Sequence, residues 1–209
     1  MVERLGRSNI FSIAHFKGDS EDPWDRLATW RPQVTRHLVT SWLPPPEGVV
    51  KLNTDVSVTK RKVSGGGLLQ DHEGRLIFAF YKEFGEVDVL TAEGRALLQG
   101  LLFCNRVRVQ RLLVEVDSTG LVQLLDSGSL AKWLLCNSLR QIRALLQSFS
   151  ATTRHIFREA NAAADKLATM DLQGDFYSTA FQQLPREVRA TLLLDSRGTP
   201  FVRTQDGRE

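Results

Sequence analysis

Three runs of strand-forming residues follow one another before the first helical period, and that order restricts the possible architectures more than any other feature of the sequence. Val49–Ser57 alternates, with Val50, Leu52, Thr54 and Val56 on one side and Asn53 and Asp55 on the other, as a strand requires. Ser64–Gln70 is the second run and Arg75–Lys82 the third, joined by Asp71-His72-Glu73-Gly74, which has hairpin-turn chemistry. The period then changes: Leu90, Leu97, Leu101 and Cys104 recur every three or four residues and predict a helix over Thr91–Cys104. Arg111–Val116 suits a short buried strand, and Ser118-Thr119 can cap a helix carrying Leu121, Leu124 and Leu125. Ser127-Gly128-Ser129 breaks that helix, and another follows over 130–148 through Leu134, Leu135, Leu139, Ile142 and Leu146. A strand over Ala151–Arg158 and a helix over Asn161–Met170 complete the order β-β-β-α-β-α-α-β-α, which defines an α/β domain over 48–172.

The flanks differ in character. Leu27, Val34, Leu38 and Trp42 fall at helical spacing, so residues 1–45 are expected to be an N-terminal extension with one amphipathic helix, stopped by Pro44-Pro45-Pro46. Residues 173–209 are expected to be a C-terminal extension, in part packed on the domain and disordered near Gly207. No window is apolar enough to span a bilayer, which argues against a membrane function. Cys104 and Cys136 lie in helical patterns without a CxxC neighbour, which suits an intracellular protein of nucleus or cytoplasm. Arg4 and Arg7 leave organellar targeting open. The net charge of +3 neither demands nor opposes a polyanionic partner.

Four acids stand where a charge is conspicuous. Glu93 shares its helical face with Ala96, Leu97 and Gly100, Asp117 follows an apolar strand, Asp55 lies toward the end of the first strand, and Asp165 is flanked by Ala164, Leu167 and Ala168. Taken singly, each has an ordinary explanation as a cap or a solvated charge. Taken together they would repel one another unless a cation neutralised them, and such hard oxygen ligands suit Mg²⁺ or Mn²⁺ rather than zinc.

The segments around these acids, KLNTD, TAEGRALLQGL, VEVDSTGLVQLL and REANAAADKLA, resemble type 1 ribonuclease H in the form carried by plant retroelement-derived, reverse transcriptase-like proteins. SWLPPPEGVV and LPREVRATLLLDSRGTPFVR resemble segments that flank that plant domain. The resemblance implies a ribonuclease H-like fold, a five-stranded mixed sheet with its second strand antiparallel and helices on both faces. It implies endonucleolytic cleavage of the RNA strand of RNA–DNA hybrids with two Mg²⁺ or Mn²⁺ ions, held by Asp55, Glu93, Asp117 and Asp165 as catalytic ligands. Substrate contacts would fall to Asn53, Ser57, Ser118, Arg158 and Asn161, with nucleic acid as the partner, hybrid or RNA; within REAN the residues themselves favour Asn161 as the cap of the last helix over a substrate contact by Arg158. His155, ten residues before Asp165, is expected to be structural because it falls within a strand.

Two departures favour an alternative, a catalytically silent module that binds nucleic acid or protein on the same scaffold. Val56 stands where the family has glycine, and a β-branched residue resists φ > 0 and close backbone approach. The region 126–150 offers only Lys132, Arg140 and Arg143, so the basic protrusion with which relatives grip a hybrid is missing. A third class, a transposase-like or exonuclease enzyme on this scaffold, is opposed by the REANAAADKLA ending.

Overall fold

The computed structural model describes residues 35–59, 62–127 and 133–206. In chain order the elements are β1 (Thr35–Thr40), β2 (Val50–Val58), β3 (Val63–Gln70), β4 (Leu76–Glu83), α1 (Val89–Arg106), β5 (Leu112–Val116), α2 (Thr119–Ser127), α3 (Trp133–Ser148), β6 (Thr152–His155), α4 (Ala162–Ala168), β7 (Phe176–Ser178), α5 (Arg186–Ser196) and β8 (Phe201–Asp206). Single turns of tighter helix occupy Arg158–Asn161 and Phe181–Gln183. Contacts divide the chain into two compact units, and one of them, Val39–Arg203, carries the acids.

A six-stranded mixed sheet in the order β6-β5-β2-β3-β4-β7 is its centre. β2 runs antiparallel to β3 and parallel to β5, while β3–β4 and β4–β7 are antiparallel and β5–β6 parallel. The first five strands in sequence order are those expected, including the antiparallel second strand. The sixth, β7, comes from the segment expected to be an extension, and pairs Phe176, Tyr177 and Ser178 with Tyr81, Phe80 and Ala79.

Both faces of the sheet are covered. Leu52, Leu69, Phe78 and Phe80 meet Leu97 and Leu101 of α1, Leu121 of α2 and Leu139 and Ile142 of α3. On the other face Leu68 and Ala79 meet Ala163, Ala164 and Leu167 of α4 and Val188 and Leu192 of α5. Hence Lys51 through Asp55 are buried without interruption, where alternation alone describes a strand with two unlike sides. The reach of the unit beyond 48–172 has the same cause, since Leu184, Val188 and Leu192 are buried in one cluster with Leu68 and Ala79 of the sheet.

The N-terminal flank departs from expectation. Thr35–Thr40 is a strand paired with β8 in a separate two-stranded sheet, not the end of an amphipathic helix. Its β-branched Thr35, Val39 and Thr40 favour extended backbone over a helical turn. The rest of that expected helix lies outside the described residues, as do Lys132 and the C-terminal residues 207–209. Among the described residues no helix is long and apolar enough to cross a membrane.

A run of glycines in the sheet sets how closely its neighbours approach. Gly65, Gly66 and Gly67 are buried in β3, and a Cβ on Gly66 would lie 2.6 Å from both the carbonyl carbon and the Cβ of Leu167. Gly66 is also the cross-strand partner of Asp55, so its bare backbone lets α4 lie close beside that carboxylate. Gly66→Ala must displace α4 backbone and is expected to cost roughly 1–3 kcal/mol. Gly94→Ala, whose added carbon meets only the Cδ1 tip of Leu135 at 2.5 Å and gains helix propensity, is expected to cost less. Denaturant melts of the two variants check this, and equal losses would refute the close-approach role.

Candidate active site

Helix α1 begins at a cap that spacing alone did not reveal: Asp88 accepts a hydrogen bond from the Thr91 backbone N–H at 3.1 Å and another from its hydroxyl at 2.9 Å. Glu93, one turn in, is 5% exposed. Asp55 sits within β2 at 2% exposure, with one oxygen accepting from the Val56 N–H at 2.7 Å. Asp117 follows the last residue of β5, and Ser118 accepts from the Leu121 N–H at 3.3 Å to cap α2, as its sequence position suggested. One carboxylate oxygen from each of Asp55, Glu93 and Asp117 lies within 4.8 Å of the other two.

Asp165 is not part of that set. Its Oδ1 accepts from Arg158 through Nε at 3.1 Å and Nη2 at 2.6 Å. It remains close enough for its charge to push the Asp55 pKa upward.

Burial dominates the electrostatics of the three clustered acids. It drives Glu93 up to about 9, helped by the charges of Asp117 and Asp55. Asp55 is raised to about 7, first by burial and then by Asp117, while the Val56 N–H and Arg158 oppose the shift. Asp117 is raised by burial against the opposing pull of Arg158. Asp55 Oδ2, Glu93 Oε2 and Asp117 Oδ1 are all buried without a hydrogen-bond partner. A buried oxygen lone pair without a donor is costly. One such oxygen on each of three converging carboxylates, all hard donors, fits a divalent cation such as Mg²⁺ or Mn²⁺.

The residues expected to touch substrate divide in two. Asn53 and Asn161 are each 2% exposed and their amides are engaged internally. Asn53 accepts from Trp42 Nε1 at 3.0 Å and donates to Asn161 Oδ1 at 3.0 Å, and Asn161 donates to the Thr54 carbonyl at 3.0 Å. Asn161 therefore occupies the N-cap position of α4 without a side-chain cap bond, tying α4 to β2 instead. Ser57 and Ser118 are half-buried and Arg158 is exposed, so these three keep a face open to solvent. Val56 adopts ordinary extended backbone opposite Gly65, so the position does not demand the φ > 0 that a glycine would supply. Arg143 donates to the Leu124 carbonyl at 2.7 Å and Arg140 is exposed. His155 ends β6 opposite Val116, with its ring edge-on to Phe157 at 5.5 Å.

Sequence reasoning passed over the charged group beneath the acids. Glu115, 3% exposed, takes Lys51 Nζ at 2.9 Å on one oxygen and Arg154 Nη2 at 2.5 Å on the other. Lys51 is itself 0% exposed, lies 4.7 Å over the Trp42 ring and donates to the Leu43 carbonyl. The signal was present: a lone glutamate in the apolar run LLVEV requires a buried partner.

This geometry belongs to a ribonuclease H-like α/β fold. The RNase H1 of Halobacterium salinarum NRC-1 superposes with a TM-score of 0.53 at 20% identity, over 57% of this chain and 93% of its own. The N-terminal RNase H domain of a Mycobacterium tuberculosis protein, solved as a maltose-binding-protein fusion, gives 0.53 at 21%, over 57% and 90%. LC11-RNase H1 in complex with an RNA/DNA hybrid gives 0.50 at 22%, over 56% and 92%. Residues 53–171 match the reverse transcriptase-like family, and the chain belongs to it. The Arabidopsis thaliana protein named "Putative ribonuclease H protein" is 30% identical over 172 residues, 81% of this chain, and the chain spans 27% of that relative's length.

The raised carboxyls fix the sign of a pH effect. Without metal, Asp55 and Glu93 keep protons in the fold at pH values where the unfolded chain, with carboxyls at their ordinary 3.8 and 4.5, has lost them. The unfolded state binds fewer protons between pH about 4 and about 9, so stability falls as pH rises through that window. Thermal melts in EDTA are expected to show this decline, with Mg²⁺ restoring stability at the alkaline end. Asp195, buried and raised to about 7, adds a share that Mg²⁺ does not recover. A flat or rising profile in EDTA would contradict the assignment.

Proposed function

We propose that this chain is a divalent-metal-dependent endonuclease that hydrolyses the RNA strand of RNA–DNA hybrids. The observation that carries the reading is the convergence of Asp55, Glu93 and Asp117, which each bring a carboxylate oxygen within 4.8 Å of the others and each carry a buried oxygen without a hydrogen-bond partner. Support comes from membership of the reverse transcriptase-like family, from the name of the Arabidopsis relative, and from the hybrid bound in the LC11-RNase H1 structure.

Asp55, Glu93 and Asp117 would hold one ion, and Asp165, across from Asp55, would join Asp55 at a second. Bound there, divalent ions would offset charge developing on the scissile phosphate and make water a stronger nucleophile at neutral pH. The protein's own part is positional. Asp88 fixes the start of α1 and with it Glu93, the Ser118 cap fixes the turn that carries Asp117, and β3 and β5 hold Asp55 from both sides. Ser57, Ser118 and Arg158 line the approach, where contacts to phosphate and 2′-hydroxyl oxygens would select a hybrid by shape. Asn53 and Asn161 act through the backbone they secure.

One observation favours the silent-module reading: the fourth acid, Asp165, is engaged by Arg158. Cleavage of a labelled RNA–DNA hybrid, beside double-stranded RNA and double-stranded DNA, separates the two readings. The enzyme reading expects Mg²⁺-dependent cuts in the hybrid's RNA strand and a loss of about 100-fold or more in Asp117→Asn. Cleavage that survives this substitution would reject the mechanism, and a folded wild type that binds the hybrid without cutting it would establish the silent module.

A further inference from the structure

Arg158 stands in an unusual place for a surface arginine. It lies on the single helical turn Arg158–Asn161 that leads into α4, seven residues before Asp165, and grips one carboxylate oxygen of Asp165 with two nitrogens. Its side chain is 67% exposed while the Asp165 side chain is 28% exposed, so the cation reaches inward from solvent to a half-buried acid. Its charge also acts on Asp55, Glu93 and Asp117, drawing each carboxyl back toward the ionised form against its burial. The one guanidinium thus acts on Asp55, Glu93 and Asp117 while it is hydrogen-bonded to Asp165.

We infer that Arg158 is an internal counter-cation of the acidic site: it occupies Asp165 in place of a divalent ion, and a phosphate of the bound nucleic acid draws it away and frees that carboxylate. This rests on the reading of the cluster as a divalent-cation site and adds an order to its assembly. Carboxylates that act on one another at this range are hard to keep ionised without positive charge, and the Arg158 guanidinium, bonded to Asp165 and acting on the other three, supplies some of it. Guanidinium also pairs bidentately with phosphate, so it has an alternative partner of the charge and shape that a nucleic-acid backbone presents. Asp165 gains access to an ion as Arg158 exchanges partners, so phosphate binding and binding of the second ion are positively coupled, each raising the other's affinity by the same factor. An ordinary exposed ion pair contributes little and would couple nothing.

The exchange can be read without turnover. Mn²⁺ titrations by calorimetry, with electron paramagnetic resonance counting free ion, compare wild type, Arg158→Gln and the double variant Arg158→Gln/Asp165→Asn in the absence of nucleic acid. Arg158→Gln is expected to bind Mn²⁺ about tenfold tighter or to gain a second ion, and the added Asp165→Asn is expected to abolish that gain. In EDTA, where no cleavage occurs, Arg158→Gln should bind a labelled RNA–DNA hybrid several-fold more weakly, with its salt dependence reduced by about one phosphate contact. Unchanged or weaker Mn²⁺ binding in Arg158→Gln, a gain that persists in the double variant, or hybrid binding that is absent or identical in wild type and Arg158→Gln would each overturn the inference. No Mn²⁺ binding by any variant would overturn the cation site along with it, whereas binding by wild type with no gain on losing Arg158 overturns the counter-cation role alone. Most of the Arg158 side chain is solvent-exposed, so its removal leaves folding intact, and a melt of each variant verifies this.

Discussion

Self-repulsion among Asp55, Glu93 and Asp117 is the constraint around which the rest is arranged, because three carboxylates within 4.8 Å work against the fold that gathers them. The frame that resists it lies one step down the sheet. Asn53 is two residues before Asp55 on β2, Glu115 is two residues before Asp117 on β5, and Asn53 and Glu115 are register partners. Arg154 is in turn the register partner of Glu115 on β6, and Asn53 donates to Glu115 at 3.4 Å. A row of neutralised, hydrogen-bonded polar groups thus runs across three strands directly beneath the row of acids. The lower row satisfies its members internally, while the upper row leaves three oxygens without a partner. That contrast separates the internally paired row from the acids, whose free oxygens carry the metal-site proposal.

Bringing charges inside requires a sheet sealed on both sides, and the two seals come from different parts of the chain. α1, α2 and α3 close one face. The other depends on α4 together with α5, which follows the residues matching the family. Trp42, upstream of that match, is 2% exposed and donates to Asn53, so a residue outside the matched range helps hold the polar row. Asp195 of α5, 3% exposed with Oδ1 unpartnered, acts electrostatically on Lys51.

The strand and helix order was legible because periodicity and turn residues agree across 49–170: the hairpin at Asp71–Gly74 and the helix containing Glu93 are both where the pattern puts them. Asp55, Glu93 and Asp117 were legible for a related reason, each being a charge that its local apolar pattern cannot explain. Asp165 obeys the same pattern, yet its pairing with Arg158 depends on how a short helical turn meets α4, which spacing does not encode. The roles of Asn53 and Asn161 were hidden because amide burial is set by contacts 108 residues apart in sequence. β7 is only three residues long and so carries too little alternation to be recognised as a strand. Thr35–Thr40 shows the reverse failure, since its pairing with a distant strand overrides a helical spacing of Val34, Leu38 and Trp42.

The late arrival of β7 and α5 bears on where this protein can be cut. A fragment ending at Leu172 would keep every residue of the acidic site, yet it would bare the outer hydrogen-bonding rim of β4 and strip from Leu68 and Ala79 the part of their cover that α5 supplies. Such a rim is a template for a neighbouring molecule, so fibrous or swapped aggregates would be the natural fate of a minimal piece trimmed to the acidic motifs.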